Sequence, residues 1–144
     1  MNKKFITHSK KETIALGRKL ATHLKPGILI ALIGNLGSGK TTLIQGIASG
    51  LRAKREEVKS PTFVLFHIYK GKIPIYHFDL YRLDSPEQFE EIGFDEFALD
   101  PNAVTLIEWA DRAKSILPKN YLEISLKEIR ENEREICIRA IGDE

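Results

Sequence analysis

Apolar residues along the chain form either short runs, typical of strands, or stretches with helical spacing. The pattern predicts alternating strands and helices. The continuous apolar run at residues 28–33 is typical of a buried strand, and residues 104–107 form a second such run that ends at Glu108. Before the first run, apolar positions keep roughly helical spacing behind a Ser9-x-x-Glu12 capping box. We expect that helix to end at Pro26-Gly27.

The remaining apolar segments predict paired antiparallel strands. Two β-rich runs, at residues 62–69 and 73–81, flank a short glycine turn and predict a hairpin. Two alternating runs near the end, at residues 121–126 and 135–141, flank a turn at Glu131-Asn132. A proline and an early acid predict a short helix at residues 86–92.

A phosphate-binding loop follows the first apolar run. Residues 34–41 read GNLGSGKT and match G-x-x-x-x-G-K-[ST], and a helix is predicted at residues 41–51. In such a loop the backbone N–H groups face phosphates at the helix N-terminus, while Lys40 supplies positive charge and Thr41 offers a hydroxyl to Mg²⁺. The predicted fold is therefore α/β: a three-layer domain like those of P-loop NTPases, with central parallel strands and antiparallel strands at the edges.

Length and composition favour one nucleotide-binding domain over residues 1–144. The chain has 144 residues, 42% of them hydrophobic, which suits a single compact core. No apolar stretch approaches the length of a membrane span, and the first residues lack the apolar region of a signal peptide. We therefore expect a cytoplasmic protein that does not bind a membrane.

Charge is distributed unevenly. Residues 1–55 carry 11 lysines and arginines against the single acid Glu12, whereas residues 56–144 carry 11 against 19 acids. This basic half has two interpretations that the sequence leaves open: a solvated surface, or a surface that meets RNA or an acidic partner.

Acids outside the loop are candidates for Mg²⁺ binding. A P-loop site needs a second acid, which usually stands at the carboxyl end of a neighbouring strand, and Glu108 meets that description. Asp79 leaves the predicted hairpin and is equally well a second functional acid or a turn residue. Ser60 and Thr62 flank Pro61 and form either a switch-like loop near the γ-phosphate or an ordinary turn before a strand.

Four segments together closely resemble the bacterial TsaE family, the small ATPases of tRNA threonylcarbamoyladenosine biosynthesis. They are GNLGSGKTT at residues 34–42, KSPTF at 59–63, HFDLYRL at 77–83 and IEW at 107–109. The loop alone is common to many families, whereas the combination with the other three segments is far more specific.

The resemblance implies a Mg-ATP site. Within it, Lys40, Asp79 and Glu108 are the expected catalytic residues, and Thr41 and Glu108 the expected Mg²⁺ ligands. Nucleotide contacts are expected from Leu36, Gly37, Ser38, Gly39, Lys40, Thr41 and Thr42. Further contacts on the adenine or ribose side are expected from Lys10, in the region 7–13, and from Arg134.

The resemblance also implies partners. Family members act with the TsaB and TsaD proteins, and the complex transfers a threonylcarbamoyl group to N6 of the adenosine next to the anticodon in tRNAs that read ANN codons. The ATPase then meets tRNA only through the complex. Two other readings stay open, a small-molecule or nucleoside P-loop kinase and a binding module gated by nucleotide. A GTPase is disfavoured because the chain has no Asn-Lys-x-Asp segment to read guanine.

Overall fold

The computed structural model describes residues 2–35, 38–53, 66–80, 100–109 and 117–142. Within these residues seven strands and two helices follow one another along the chain. They are β1 (Asn2–Thr7), α1 (Lys10–Ala21), β2 (Leu29–Ile33), α2 (Lys40–Gly50), β3 (Phe66–Tyr69), β4 (Ile75–Asp79), β5 (Val104–Glu108), β6 (Tyr121–Arg130) and β7 (Glu133–Ile141).

The strands form one mixed sheet in the order β1-β7-β6-β2-β5-β4-β3. Four adjacent strands, β6, β2, β5 and β4, are parallel to one another. On the outside, β7 and β1 continue the sheet in antiparallel pairs beyond β6, and β3 pairs antiparallel with β4. This arrangement confirms the α/β fold with a parallel centre and antiparallel edges.

Side chains on both faces of the central strands are buried. Leu32 and Leu106 share one face, where they belong to the same apolar cluster as Leu43 and Ile47 of α2. Ile107, on the opposite face, is also fully buried. Burial on both faces explains why β2 and β5 read as continuous apolar runs, as expected for parallel strands of a three-layer domain.

Helix α1 begins as predicted and ends earlier than predicted. The Ser9 hydroxyl accepts a hydrogen bond from the Glu12 backbone N–H at 3.0 Å, which satisfies one N-terminal donor. The helix stops at Ala21, because the next residues close tighter turns: the N–H groups of His23 and Leu24 donate to carbonyls three residues back. The prediction that it continues to Pro26 was wrong.

Helices α1 and α2 approach so closely that their backbones touch. A Cβ atom at Gly46 would lie 2.3 Å from the Ile14 carbonyl oxygen, and one at Gly17 would lie 2.8 Å from the Gly46 Cα. Glycine is required at this crossing because any side chain would push the helices apart. The contact fixes α2, whose first residue is the loop lysine.

The terminal hairpin confirms the predicted turn and extends the predicted strands. Asn132 adopts a left-handed φ of 65°, and β6 and β7 run up to it on either side. Ladder hydrogen bonds continue through charged positions such as Lys127, where apolar alternation has already ended.

The predicted helix at residues 86–92 and the loop with Ser60 and Thr62 lie outside the described residues. No helix in the described part of the chain is long and apolar enough to cross a membrane.

The helix crossing predicts a large penalty for Gly46→Ala. Alanine ordinarily stabilises a helix relative to glycine, but here its methyl group would meet the Ile14 carbonyl. We expect the free energy of unfolding to fall by about 1–3 kcal/mol, as is usual for overpacking. Urea denaturation of Gly46→Ala, with the exposed substitution Lys11→Ala as control, measures the change. An unchanged or raised stability would contradict the close backbone contact.

The start of α1 predicts a pH-dependent contribution from Glu12. Its carboxylate accepts a hydrogen bond from the His8 backbone N–H at 2.8 Å, and the His8 ring nitrogen Nδ1 lies 3.3 Å from the same oxygen. These contacts lower the pKa of Glu12 from its ordinary 4.5. The stabilisation is therefore complete above the unfolded-state pKa and is lost as pH falls through the lower folded-state pKa.

Comparing Glu12→Gln with the unaltered chain by urea unfolding at several pH values tests this. The difference in stability should be constant near neutral pH and should shrink once the pH falls below 4.5. A difference that does not change with pH would show that the charge of Glu12 makes no contribution.

Candidate nucleotide and metal site

The phosphate-binding loop connects the carboxyl end of β2 to the first residue of α2. Gly34 has no space for a side chain, because a Cβ atom there would lie 2.6 Å from Ser38 Oγ and 2.7 Å from the Leu126 carbonyl oxygen. Gly39 has a φ of 103°, which favours glycine. Glycine therefore suits both positions, Gly34 for lack of space and Gly39 for its backbone conformation. Leu36 and Gly37, two of the predicted nucleotide contacts, lie outside the described residues.

Lys40 turns its ammonium group towards the loop. Its Nζ donates hydrogen bonds to the carbonyl oxygens of Gly34 and Asn35, the second at 3.3 Å. The same Nζ lies 3.9 Å from the centroid of the Trp109 ring, a cation–π distance. Lys40 is only 5% exposed. The loop carbonyls and the Trp109 ring therefore take the place of water around its charge.

Trp109 reaches Lys40 because the backbone turns sharply after β5. Its φ of 59° is in the left-handed region, which is uncommon for a bulky residue and costs conformational energy. The turn brings the indole over the ammonium of a residue that is distant in sequence. Trp109 thus joins the end of β5 to the phosphate loop.

Two acids lie side by side at the carboxyl ends of β4 and β5. Asp79 and Glu108 are register partners in the parallel ladder, and the Leu80 N–H donates to the Glu108 carbonyl at 3.1 Å. Each of the two acids is 3% exposed. Register partners in a parallel pair point to the same face, so the structure brings both predicted acids together at one edge.

Glu108 has a specific partner in the next strand. Its Oε2 accepts a hydrogen bond at 2.6 Å from Nε2 of His77, and the other ring nitrogen of His77 lies 2.8 Å from the Tyr69 hydroxyl. All three side chains are buried. His77 is therefore a packed, hydrogen-bonded residue of β4.

Hydroxyl groups cluster where α2 begins. Thr41 and Thr42 occupy its first turn and are half-buried. The Ser38 hydroxyl is buried and has no hydrogen-bond partner among the residues that the structure describes. A buried hydroxyl without a partner at a helix N-terminus is suited to a phosphate oxygen.

The donor set fits Mg²⁺. Mg²⁺ prefers oxygen ligands and is usually held by one or two carboxylates together with substrate phosphates. Asp79 and Glu108 supply two buried carboxylates, and Thr41 supplies a hydroxyl at the start of α2. No group of three or more potential His, Cys, Asp or Glu ligands occurs within the described ranges. The arrangement suits a metal that shares its coordination with a bound nucleotide.

Arg134 lies beside the loop on the β6–β7 side. A Cβ atom at Gly39 would be 3.7 Å from Arg134 Nε, and Arg134 is the register partner of Thr7. An ion pair of 3.3 Å joins its Nη2 to Glu128. Lys10 is exposed at the first position of α1.

A cleft of about 440 Å³ opens beside the phosphate-binding loop. It is lined by Ile33, Gly34, Asn35, Ser38, Ser125, Leu126, Lys127 and Glu128.

The parallel sheet, the glycine-rich turn and the buried lysine at the head of α2 define a nucleotide-binding protein of the P-loop class. The model of the family described as "Threonylcarbamoyl adenosine biosynthesis protein TsaE" matches residues 7–136. The chain belongs to the TsaE family.

Relatives from distant bacteria are similar over most of their length. The chain is 39% identical over 141 residues to the tRNA threonylcarbamoyladenosine biosynthesis protein TsaE of Bacillus subtilis, an alignment that covers 97% of this chain and 87% of that protein. It is 42% identical over 131 residues to TsaE of Rickettsia prowazekii, covering 90% and 89%. The crystal structure of Bacillus subtilis YdiB superposes with a TM-score of 0.80 at 34% identity and covers 99% of this chain and 87% of that one.

Two connections in the site were not predicted from the sequence. The hydrogen bond between His77 and Glu108 depends on the register of β4 against β5, which pairs His77 with Leu106. The stacking of Lys40 against Trp109 depends on a left-handed residue. The sequence held one signal that could have linked His77 to the site. His77 and Asp79 are two residues apart in a strand, so their side chains must share a face.

The contact between Lys40 and Trp109 predicts a fluorescence response. Trp109 is the single tryptophan of the chain, so its emission reports this site alone. We expect Lys40→Ala to change the emission maximum, and ADP or ATP to alter the emission of the unaltered chain but not of Lys40→Ala. The exposed substitution Lys19→Ala should respond like the unaltered chain. Identical spectra and titrations for Lys40→Ala would contradict the contact.

Proposed function

We propose that this protein binds and hydrolyses Mg-ATP in support of tRNA threonylcarbamoylation, as a subunit that acts with TsaB and TsaD. The observation that carries the proposal is the convergence of three buried charges on one edge of the sheet. Lys40 stands at the loop, Asp79 and Glu108 stand at adjacent strand ends, and Trp109 links the two sides. This is the arrangement of charge that a nucleoside triphosphate with a bound divalent cation requires.

Each residue has a role in the proposal. The backbone of residues 36–41 and the Lys40 ammonium bind the phosphates, with Ser38 and Thr42 as further contacts. Thr41 and Glu108 bind Mg²⁺, and Asp79 either binds it as well or orients the attacking water. When bound, Mg²⁺ would neutralise the charge that develops on the phosphate oxygens.

Dependence on partners is part of the proposal. Arg134 lies beside the loop, but its guanidinium is engaged by Glu128 and by the carbonyl oxygens of Arg130 and Glu133. We infer that Arg134, engaged in this way, is not an arginine finger, and we expect hydrolysis by the isolated chain to be slow. A partner protein that completes the site would accelerate it.

The tRNA part of the proposal rests on the relatives. The Bacillus subtilis and Rickettsia prowazekii proteins carry names that assign them to tRNA threonylcarbamoyladenosine biosynthesis. TsaB and TsaD are proposed as the proteins that contact tRNA, and the cytoplasm as the place where the complex works. Lys10 and Arg134 are proposed to contact the adenine or ribose side of the nucleotide.

Removing either acid should separate binding from hydrolysis. We expect Glu108→Gln and Asp79→Asn to bind ATP, as Trp109 fluorescence reports, and to hydrolyse it at least about a hundredfold more slowly. Glu123→Gln is the matched control, because Glu123 is also a buried carboxylate of the sheet but pairs with Arg139 at 2.8 Å. Hydrolysis by both site variants at the unaltered rate would contradict the assigned roles.

Reconstitution tests the partner dependence. Addition of TsaB and TsaD from the same organism should raise phosphate release from ATP, with GTP a poor substitute, and the mixture should form threonylcarbamoyladenosine on tRNA. Unchanged turnover in the mixture would count against the proposal. Transfer of the γ-phosphate to a nucleoside or another small acceptor would instead establish a kinase.

A further inference from the structure

A chain of hydrogen bonds runs behind Glu108, away from the phosphate loop. Glu108 Oε2 accepts from His77 Nε2 at 2.6 Å, and the Tyr69 hydroxyl lies 2.8 Å from His77 Nδ1. His77 is fully buried and Tyr69 is 3% exposed. The three side chains come from three adjacent strands, β3, β4 and β5, so the hydrogen bonds cross the sheet from its edge towards the site.

Strand register accounts for this alignment. His77 pairs with Leu106, and Glu108 follows two residues later on the same face of β5. Tyr69 pairs with Ile75, and His77 follows two residues later on the same face of β4. Each hydrogen bond is thus a diagonal contact between neighbouring strands, at a separation that long side chains can span.

The proton positions follow from the acceptor at one end. A carboxylate can only accept, so His77 Nε2 carries the proton in the bond to Glu108. In the neutral imidazole Nδ1 is then an acceptor, and the Tyr69 hydroxyl donates to it. The Glu108 carboxylate therefore selects this tautomer of His77, and the Tyr69 hydroxyl, which can donate or accept, supports it by donating to Nδ1.

Two features favour a positioning role over simple packing. An apolar residue would fill the space of His77 without the cost of burying a polar ring, yet both nitrogens of this buried ring are hydrogen-bonded, one of them to Glu108. The bond engages Oε2 and thereby restricts the rotation of the carboxylate, which limits the directions in which Oε1 can point. Carboxylates that bind metal ions commonly have such hydrogen-bond partners, which hold their orientation.

We propose that His77, held in place by its hydrogen bond with Tyr69, is the positioning residue of Glu108 and thereby sets the affinity of the site for Mg²⁺. This inference rests on the proposed function, in which Glu108 binds Mg²⁺. His77 and Tyr69 do not contact the nucleotide in this proposal; they act through Glu108 alone. Their substitution should therefore change the Mg²⁺ dependence of nucleotide binding and leave Mg²⁺-free nucleotide binding intact.

The test is a Mg²⁺ titration at fixed ATP, followed by Trp109 fluorescence, with a parallel ATP titration in EDTA. For His77→Phe we expect the half-maximal Mg²⁺ concentration to rise about 10- to 100-fold. His77→Gln can still donate to Glu108 and should restore most of the affinity. Tyr69→Phe removes one hydroxyl and should raise the Mg²⁺ requirement by a smaller factor.

Tyr76→Phe is the matched control. Tyr76 lies in the same hairpin, but its hydroxyl donates to Asp100 Oδ2 at 2.8 Å instead of to His77. Its loss should leave the Mg²⁺ titration unchanged. If His77→Phe fails to fold, Tyr69→Phe decides the question, because it removes a single hydroxyl: an unchanged Mg²⁺ titration for that variant would overturn the positioning role.

The outcomes separate this inference from the proposed function. If the unaltered chain shows no Mg²⁺ dependence, or if Glu108→Gln does not alter it, the proposed function fails. If Glu108→Gln alters it while folded His77→Phe and Tyr69→Phe behave like Tyr76→Phe, only the positioning role is overturned. Equal weakening of ATP binding with Mg²⁺ and in EDTA would also overturn it, since that pattern indicates general structural damage.

Discussion

Parallel pairing of β2, β5 and β4 is the constraint on which the rest of the structure depends. Because the three strands run in one direction, their carboxyl ends meet at one edge of the sheet. The phosphate loop leaves β2 there, Glu108 ends β5 and Asp79 ends β4. Three segments that are distant in sequence thus deliver a loop and two acids to one place, as ligand sites in open α/β sheets generally require.

Electrostatics and packing at this edge depend on each other. Lys40, Asp79 and Glu108 are each buried, and burial of a charge is costly unless other groups compensate it. The loop carbonyls and the Trp109 ring compensate Lys40, and His77 compensates Glu108. The apolar cluster beneath and the glycine contact between α1 and α2 keep these groups in place. A rigid support therefore holds a site with several buried charges.

Much of this architecture follows from local sequence pattern. The continuous runs of β2 and β5, the capping box of α1 and the loop between β2 and α2 are all local signals, and each marks the element that the structure shows. The early end of α1 was missed because Pro26 gives a strong stop signal, whereas the tight turns after Ala21 give none. The contacts of Glu108 with His77 and of Lys40 with Trp109 were missed because strand register and a left-handed backbone are set by tertiary structure.

The left-handed conformation of Trp109 has a consequence for how this site can vary. Glycine at position 109 would relieve a backbone cost of about 1–2 kcal/mol, but it would remove the aromatic ring above Lys40. Asparagine would accept the backbone equally well and offer no ring face to the ammonium. The backbone preference and the contact with Lys40 therefore favour different residues at position 109. Tryptophan keeps the contact with Lys40 at a cost in backbone energy, so a substitution here changes both the turn after β5 and the surroundings of a buried charge.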